Sequence, residues 1–277
     1  LEELPELVNS YRQALHCIDN YKNNMLDLSS IEFFYPTTLA ILSPFIESVK
    51  PKDLIFSNND LLQYFNTIMN SSINISKTFV PFIKLPKISK DYDMESYKIF
   101  DAIREWSENI YEPLEFVIDE LVGNIYQHAN HTNAYILTQY YPTKRFVEVA
   151  IIDDGIGIPK SLRDAYNFDN LNDSELIIKA IEGYSSKKEE GRAFGLGSSL
   201  HIVVEVLNGE ALISSIKGMV YLNNNNNKEM LVSDTIGYIK GTLVGIRIPV
   251  HDDINYINIP EEADKRISLN KYSVIYV

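Results

Sequence analysis

The sequence predicts an α/β protein, and three observations carry that expectation. Pro113 to Ala129 holds Leu114, Val117, Ile118, Leu121, Ile125 and Ala129 at helical spacing, one buried stripe on an amphipathic helix. Phe146-Val-Glu-Val-Ala-Ile-Ile152 is rich in β-branched residues and reads as a strand that delivers Asp153 at its end. Before residue 90, short apolar runs alternate with helical patterns, as in a small α/β layer.

That N-terminal layer reads as follows. Asn24-Met-Leu-Asp-Leu28 is a short strand, Pro36 to Val49 a helix opened by proline, Asp53 to Phe56 a second strand and Asn59 to Met69 a second helix. Thr78 to Lys84 is a third strand, in which Pro81 marks a sheet edge. Polar, unpatterned Pro86 to Asp93 is the best linker. His16, in Tyr11-Arg-Gln-Ala-Leu-His-Cys-Ile18, lacks the neighbours of a phosphoacceptor and reads as a helix histidine near a core. Further on, Leu200, Ile202, Val203, Val206 and Leu207 make another amphipathic helix, whose first turn is the segment around Gly197. Between residues 161 and 193 we expect a helix at Asp173 to Glu182, then Gly183-Tyr-Ser-Ser-Lys-Lys-Glu-Glu-Gly-Arg192. Polar and glycine-flanked, that second part reads as a mobile lid. Asn223 to Asn227 is a surface loop or hairpin tip.

Three short boxes in order carry the chemistry. Glu120 and Asn124 are four residues apart, so on a helix a carboxylate and an amide project from one face. Asp153-Asp-Gly-Ile-Gly-Ile-Pro159 follows the strand, and Phe194-Gly-Leu-Gly197 opens the later helix. Each alone has a plain reading: a solvated helix face, a glycine turn, a flexible helix entrance. Together they make a nucleotide site. Adenine presents an exocyclic amine, which a buried carboxylate accepts well. Phosphates need the exposed amides of a helix N-terminus. Magnesium takes oxygen ligands and keeps waters, so one Asn carbonyl plus phosphates suffices. The chain has no Walker lysine motif, which excludes a P-loop site.

On these boxes, residues from about 90 to 250 resemble the nucleotide-binding domain shared by DNA gyrase, heat-shock chaperones, histidine kinases and mismatch-repair ATPases, the GHKL superfamily. The resemblance implies the Bergerat fold, an α+β two-layer sandwich with a mixed sheet and helices on one face. It casts Glu120 as the water-activating carboxylate, Asn124 as the magnesium ligand and Asp153 as the acceptor of the adenine amine. Gly155 and Gly157 match the glycines that pass close to the base, and Gly195, Leu196 and Gly197 the phosphate-side segment. Gly241-Thr242 resembles the late strand whose hydroxyl assists adenine binding. The Ser-Ser-Lys of the lid is similar to the Thr-Ser-Lys of gyrase and mismatch-repair lids, making Lys187, Lys188 and Arg192 candidate phosphate contacts, with a solvated loop the equal alternative. His128 resembles a histidine of serine-kinase anti-sigma factors, although helix packing is the safer assignment. Leu26 to Leu39 is faintly similar to the strand-loop-helix of STAS domains, where Thr37 or Thr38 falls at the phosphoacceptor position. The expected organisation is therefore a small α/β domain at 1–88, STAS-like in character, a GHKL ATP-binding domain at 89–250, and a C-terminal extension at 251–277 that is a candidate start of a further domain.

Composition sets the outer bounds. At 277 residues and 45% apolar, the chain buries one large or two modest cores. A net charge of −13 argues against nucleic acid as the main partner. Cys17 alone forms no intrachain disulfide, which suits a reducing cytoplasm. No apolar run reaches the ~20 residues that span a bilayer, and no signal-peptide pattern opens the chain. Leu1 in place of a Met and the apolar Tyr272-Ser-Val-Ile-Tyr-Val277 both read as cuts in a longer protein.

Three functions compete. The first is magnesium-dependent ATP binding with slow hydrolysis that drives a conformational or dimerisation switch, with ATP and ADP as ligands and a homodimer or protein partner as its target. The second is a serine/threonine kinase of the anti-sigma type, and the third a nucleotide sensor without turnover. Glu120 ranks them in this order, because hydrolases and serine kinases of the family use a base there.

Overall fold

Phe146 to Asp153 is buried along its whole length, and a strand buried on both faces needs cover from two sides. Val147, Val149 and Ile151 enter one apolar core, while Ala150 and Ile152 enter another. Strand alternation thus divides the molecule into layers.

The computed structural model of the chain describes residues 4–69, 78–87, 89–186, 195–224, 228–251 and 257–277. Among these, β3 (Phe79–Lys84), β4 (Ala134–Tyr141), β5 (Phe146–Asp153), β6 (Glu210–Ile216), β7 (Gly218–Asn223), β8 (Glu229–Ser233), β9 (Ile239–Pro249) and β10 (Ser273–Tyr276) form one sheet. Its order is β10-β8-β7-β6-β9-β5-β4-β3. Only the β10–β8 pair is parallel, so the sheet is mixed. β7 and β8 pair antiparallel, and 225–227 of the asparagine run between them lie outside the described residues.

One face of the sheet carries α4 (Tyr92–Trp106), α5 (Glu108–Asn124), α7 (Asp173–Ile181) and a helical run from 196 to 206 that starts as α8 (Leu196–Leu200). Leu114, Val117, Ile118 and Leu121, the stripe read from the sequence, all lie in that core. The helix begins at Glu108, ahead of Pro113, and Ile125–Ala129 continues it as a π-helical turn. A capping box starts α7: the Glu175 N–H donates to the Asn172 side chain at 2.9 Å, and the Asn172 N–H donates to the Glu175 carboxylate at 2.8 Å.

The other face is covered by α1 (Glu6–Asp19) and α2 (Pro36–Val49), and α3 (Asn59–Met69) packs against β3, with the Tyr64 hydroxyl donating to the Gln139 side chain of β4 at 2.7 Å. Leu7, Tyr11, Leu39 and Leu42 share a core with Tyr135, Leu137, Ile152, Leu212 and Leu243 of the sheet. Segment 1–88 therefore does not stand apart as the small domain expected of it. Its own two-stranded parallel sheet, β1 (Met25–Asp27) with β2 (Asp53–Ile55), is peripheral, and β3 leaves it to pair with β4 at the edge of the large sheet. The β3 register shifts between Val80 and Ile83, which flank Pro81. The expected linker is also shorter than 86–93, because α4 already begins at Tyr92.

A charged cluster keys the N-terminal helices to the sheet. The Arg247 guanidinium donates to Glu148 at 2.7 Å and to Glu6 at 2.8 Å, and the other Glu148 oxygen accepts the Thr37 N–H at 3.0 Å. Burial alone weakens the Arg247 charge, but Glu148, Glu210 and Glu6 hold its pKa above the ordinary value. Thr37 and Thr38, the STAS-like acceptor candidates, are both 0% exposed, so neither hydroxyl is open to phosphorylation in this fold. His16 is exposed rather than near a core, within 3.1 Å of the Asn20 side chain. At the C-terminal end, α9 (Ile259–Ala263) and β10 return to the molecule, and β10 extends the sheet. Among the described residues no helix is long and apolar enough to cross a membrane.

Candidate active site

The end of β5, the C-terminal half of α5, the start of α6 (Gly157–Ala165) and the glycine segment before α8 enclose a cavity of about 470 Å³, within the size range of small-ligand sites. At one end Asp153, the last residue of β5, is 4% exposed. Its Oδ1 accepts the Gly155 N–H at 2.8 Å. Thr242 stands opposite in register on β9. The backbone is drawn so close that a Cβ on Gly155 meets the Ala129 carbonyl oxygen at 2.1 Å, and one on Gly241, where φ is +82°, meets the Asp153 carbonyl oxygen at 2.1 Å. Both positions therefore require glycine.

Two adjacent acids at this strand end have opposite environments. Burial pushes the Asp153 carboxyl up to about 7 against the pull of the Gly155 N–H. Asp154 is pushed up by burial too, yet the N–H groups of Asn133 and Thr132 hold it below the usual range. Those N–H groups donate to Asp154 at 2.8 and 2.7 Å, making it a clamp on the preceding loop. Asp153 is left facing the cavity. Ser215 on β6 supports this end: its hydroxyl donates to the Gly241 carbonyl at 2.7 Å, accepts the Ile158 N–H at 3.0 Å and lies 3.1 Å from the Thr242 hydroxyl.

At the other end Glu120 and Asn124 line the cavity from one face of α5, both half-buried. Asn124 is the last α-helical residue before the π turn, a widening that recurs at functional sites. His128 lines the cavity as well, with Nδ1 3.0 Å from the Ser186 hydroxyl. Gly195, Leu196 and Gly197 bring the start of the 196–206 helical run to the wall. A Cβ on Gly197 meets the Ile181 carbonyl oxygen at 2.3 Å, so this helix start packs directly on the end of α7. Among the described residues no group of three His, Cys, Asp or Glu is placed to hold a metal unaided. A magnesium held by one amide oxygen, waters and phosphate oxygens needs no such group, and the Asn124 side chain supplies that type of donor.

Of the residues expected from the sequence, Glu120, Asn124, Asp153, Gly157, Gly195, Leu196, Gly197 and Thr242 line this one cavity. Gly155 sits behind Asp153 rather than on the wall. Lys187, with Lys188 and Arg192, lies outside the described residues. Sequence reasoning missed Ser215, Tyr166 and Arg266, and treated His128 as a packing residue. No motif marks a serine near the end of β6 or an arginine beyond the last box. Tyr166, whose hydroxyl donates to the Ser185 carbonyl at 2.9 Å, stacks on Phe168, with Tyr184 edge-on to both.

A family model described as histidine kinase-, DNA gyrase B- and HSP90-like ATPase matches residues 109–252, more than half of the chain. Comparison with curated proteins and with solved structures gives no match. The matched span runs from α5 to β9 and includes every residue lining the cavity except Arg266. With its mixed sheet, its glycine-lined pocket and its buried aspartate, the chain belongs to the histidine kinase-, DNA gyrase B- and HSP90-like ATPase family, and 109–252 is its ATP-binding domain.

Proposed function

We propose that the protein is a magnesium-dependent ATPase whose slow turnover drives a conformational or dimerisation switch. One observation carries this reading: Glu120, Asn124 and Asp153 line a single continuous cavity. Asp153 accepts the adenine amine, with Thr242 and Ser215 ordering the polar wall behind it. Asn124 offers its side-chain oxygen to a magnesium ion. Bound magnesium neutralises charge on the phosphate oxygens. Glu120, one turn before Asn124, orients the attacking water and takes its proton. Gly195 to Gly197 bring helix-start amides to the phosphates.

The hydrolytic reading is favoured over protein phosphorylation within the chain because Thr37 and Thr38 are sealed in the core. A single-turnover reaction with γ-labelled ATP tests it. Label released as phosphate, at a rate that falls when Glu120 is replaced, is the expected result. Label retained on protein refutes hydrolysis, and the absence of both with ATP bound refutes turnover. Light scattering with ADP and with a non-hydrolysable ATP analogue then reads whether association follows nucleotide state.

A further inference from the structure

The family-matched span ends at residue 252, yet the cavity has one wall residue beyond it. Among the described residues that line the cavity, Arg266 is the one Lys or Arg, against the three carboxylates of Asp119, Glu120 and Asp153. A cavity of that composition repels a polyphosphate unless cations offset the carboxylates.

Arg266 is held at the phosphate side by backbone and side-chain anchors. The Ile267 N–H donates to the Gly197 carbonyl at 3.1 Å, stapling this segment to the glycine box. Four residues before Arg266, Glu262 accepts from His201 at 2.8 Å, and the same imidazole meets Glu205 at 3.0 Å, so α9 is tied to the helical run that Gly197 opens. Ala263 and Ile267 are buried beside these contacts. The arginine side chain then crosses both glycines: its Cγ lies 3.6 Å from a Cβ on Gly197, and its Nη1 1.9 Å from a Cβ on Gly183, where φ is +103°. A larger residue at 183 would be strained by that φ and would push the guanidinium aside. Nη1 is 3.5 Å from the Glu182 carbonyl oxygen, a long contact that leaves the planar fork with donors to spare.

We propose that Arg266, delivered by the C-terminal segment, binds the distal phosphates of the nucleotide and makes the site prefer ATP and ADP over AMP. The guanidinium fork matches phosphate oxygens in pairs, and the anchors of α9 hold it where the glycine helix start already faces them. This inference rests on the ATP reading of the cavity.

The test is calorimetric titration of ATP, ADP and AMP, with magnesium, into the full chain and into Arg266→Gln and Arg266→Lys. Arg266 is exposed, so the melting temperatures of the nucleotide-free variants should match wild type. The expected result is that Arg266→Gln binds ATP about ten- to a hundredfold more weakly with AMP affinity unchanged, and that Arg266→Lys recovers part of the loss. An unchanged ratio of ATP to AMP affinity in Arg266→Gln overturns the assignment, while wild type still binding ATP keeps the proposed function intact. A wild-type chain that binds no adenine nucleotide overturns both.

Discussion

Asp153→Asn separates the cost of the site from its use. Asp153 is 4% exposed, and burial raises its pKa from 3.8 to about 7. Below about pH 4 the carboxyl is protonated in both folded and unfolded chains and carries no penalty. Between about pH 4 and pH 7 the unfolded chain gives up its proton while the folded chain keeps it, so stability falls as pH rises, and above about pH 7 the loss is complete. At about 1.4 kcal/mol per pH unit the full penalty is on the order of 4 kcal/mol. Asparagine has no titration. Its oxygen still accepts the Gly155 N–H, and its amide donor left without a partner costs about 1–3 kcal/mol at every pH. That constant cost drops out of a comparison between two pH values. Relative to wild type, Asp153→Asn should therefore gain about 3 kcal/mol between about pH 5 and pH 8. Urea unfolding of the nucleotide-free proteins at both pH values reads this directly, and ADP titration of the same samples should show binding lost. Parallel unfolding shifts at the two pH values would refute the buried-carboxylate argument, and undiminished ADP affinity would remove Asp153 from the adenine contact.

Three further outcomes are expected. Glu120→Gln should keep ATP affinity within a few-fold while single-turnover hydrolysis slows by about 10²–10⁴; normal turnover would strip Glu120 of its role. Asn124→Ala should weaken ATP binding in magnesium but not in EDTA, because the lost group is a metal ligand; an equal loss in both would leave Asn124 a packing residue. Arg247→Met should lower stability by about 3–5 kcal/mol in thermal or urea unfolding, because Glu148, 0% exposed, is left as a buried unpaired charge; a loss below about 1 kcal/mol would refute the buried-charge argument.

Local pattern was legible wherever one element decides its own form. The stripe from Leu114 to Leu121 and the proline-opened helix from Pro36 to Val49 follow from periodicity and capping, and both stand where the spacing puts them. Partnership was not legible, because it depends on residues far along the chain. Nothing in Thr37 announces that its N–H meets Glu148, 111 positions away. Thr78 to Lys84 reads as a strand, but its partner is β4 rather than its N-terminal neighbours. Four-residue β10 carries too little alternation to declare a parallel pairing with β8. Around the cavity, the motif residues were legible because each box holds its residues within a few positions of one another. Ser215 and Arg266 escaped because they act on the pocket from elements that no box includes.

The layer of α1 and α2 on the far face of the sheet bears on what counts as a unit of folding here. Tyr135, Leu137, Ile152, Leu212 and Leu243 meet those helices instead of water, and β3, which closes one sheet edge, also precedes the family-matched span. A fragment cut to 109–252 would expose an apolar sheet face and the open edge of β4, the two features that template aggregation. We therefore expect the ATP-binding domain of this chain not to be excisable on its own. Proteolysis or truncation between its N-terminal helices and α5 should yield insoluble material rather than a smaller working enzyme.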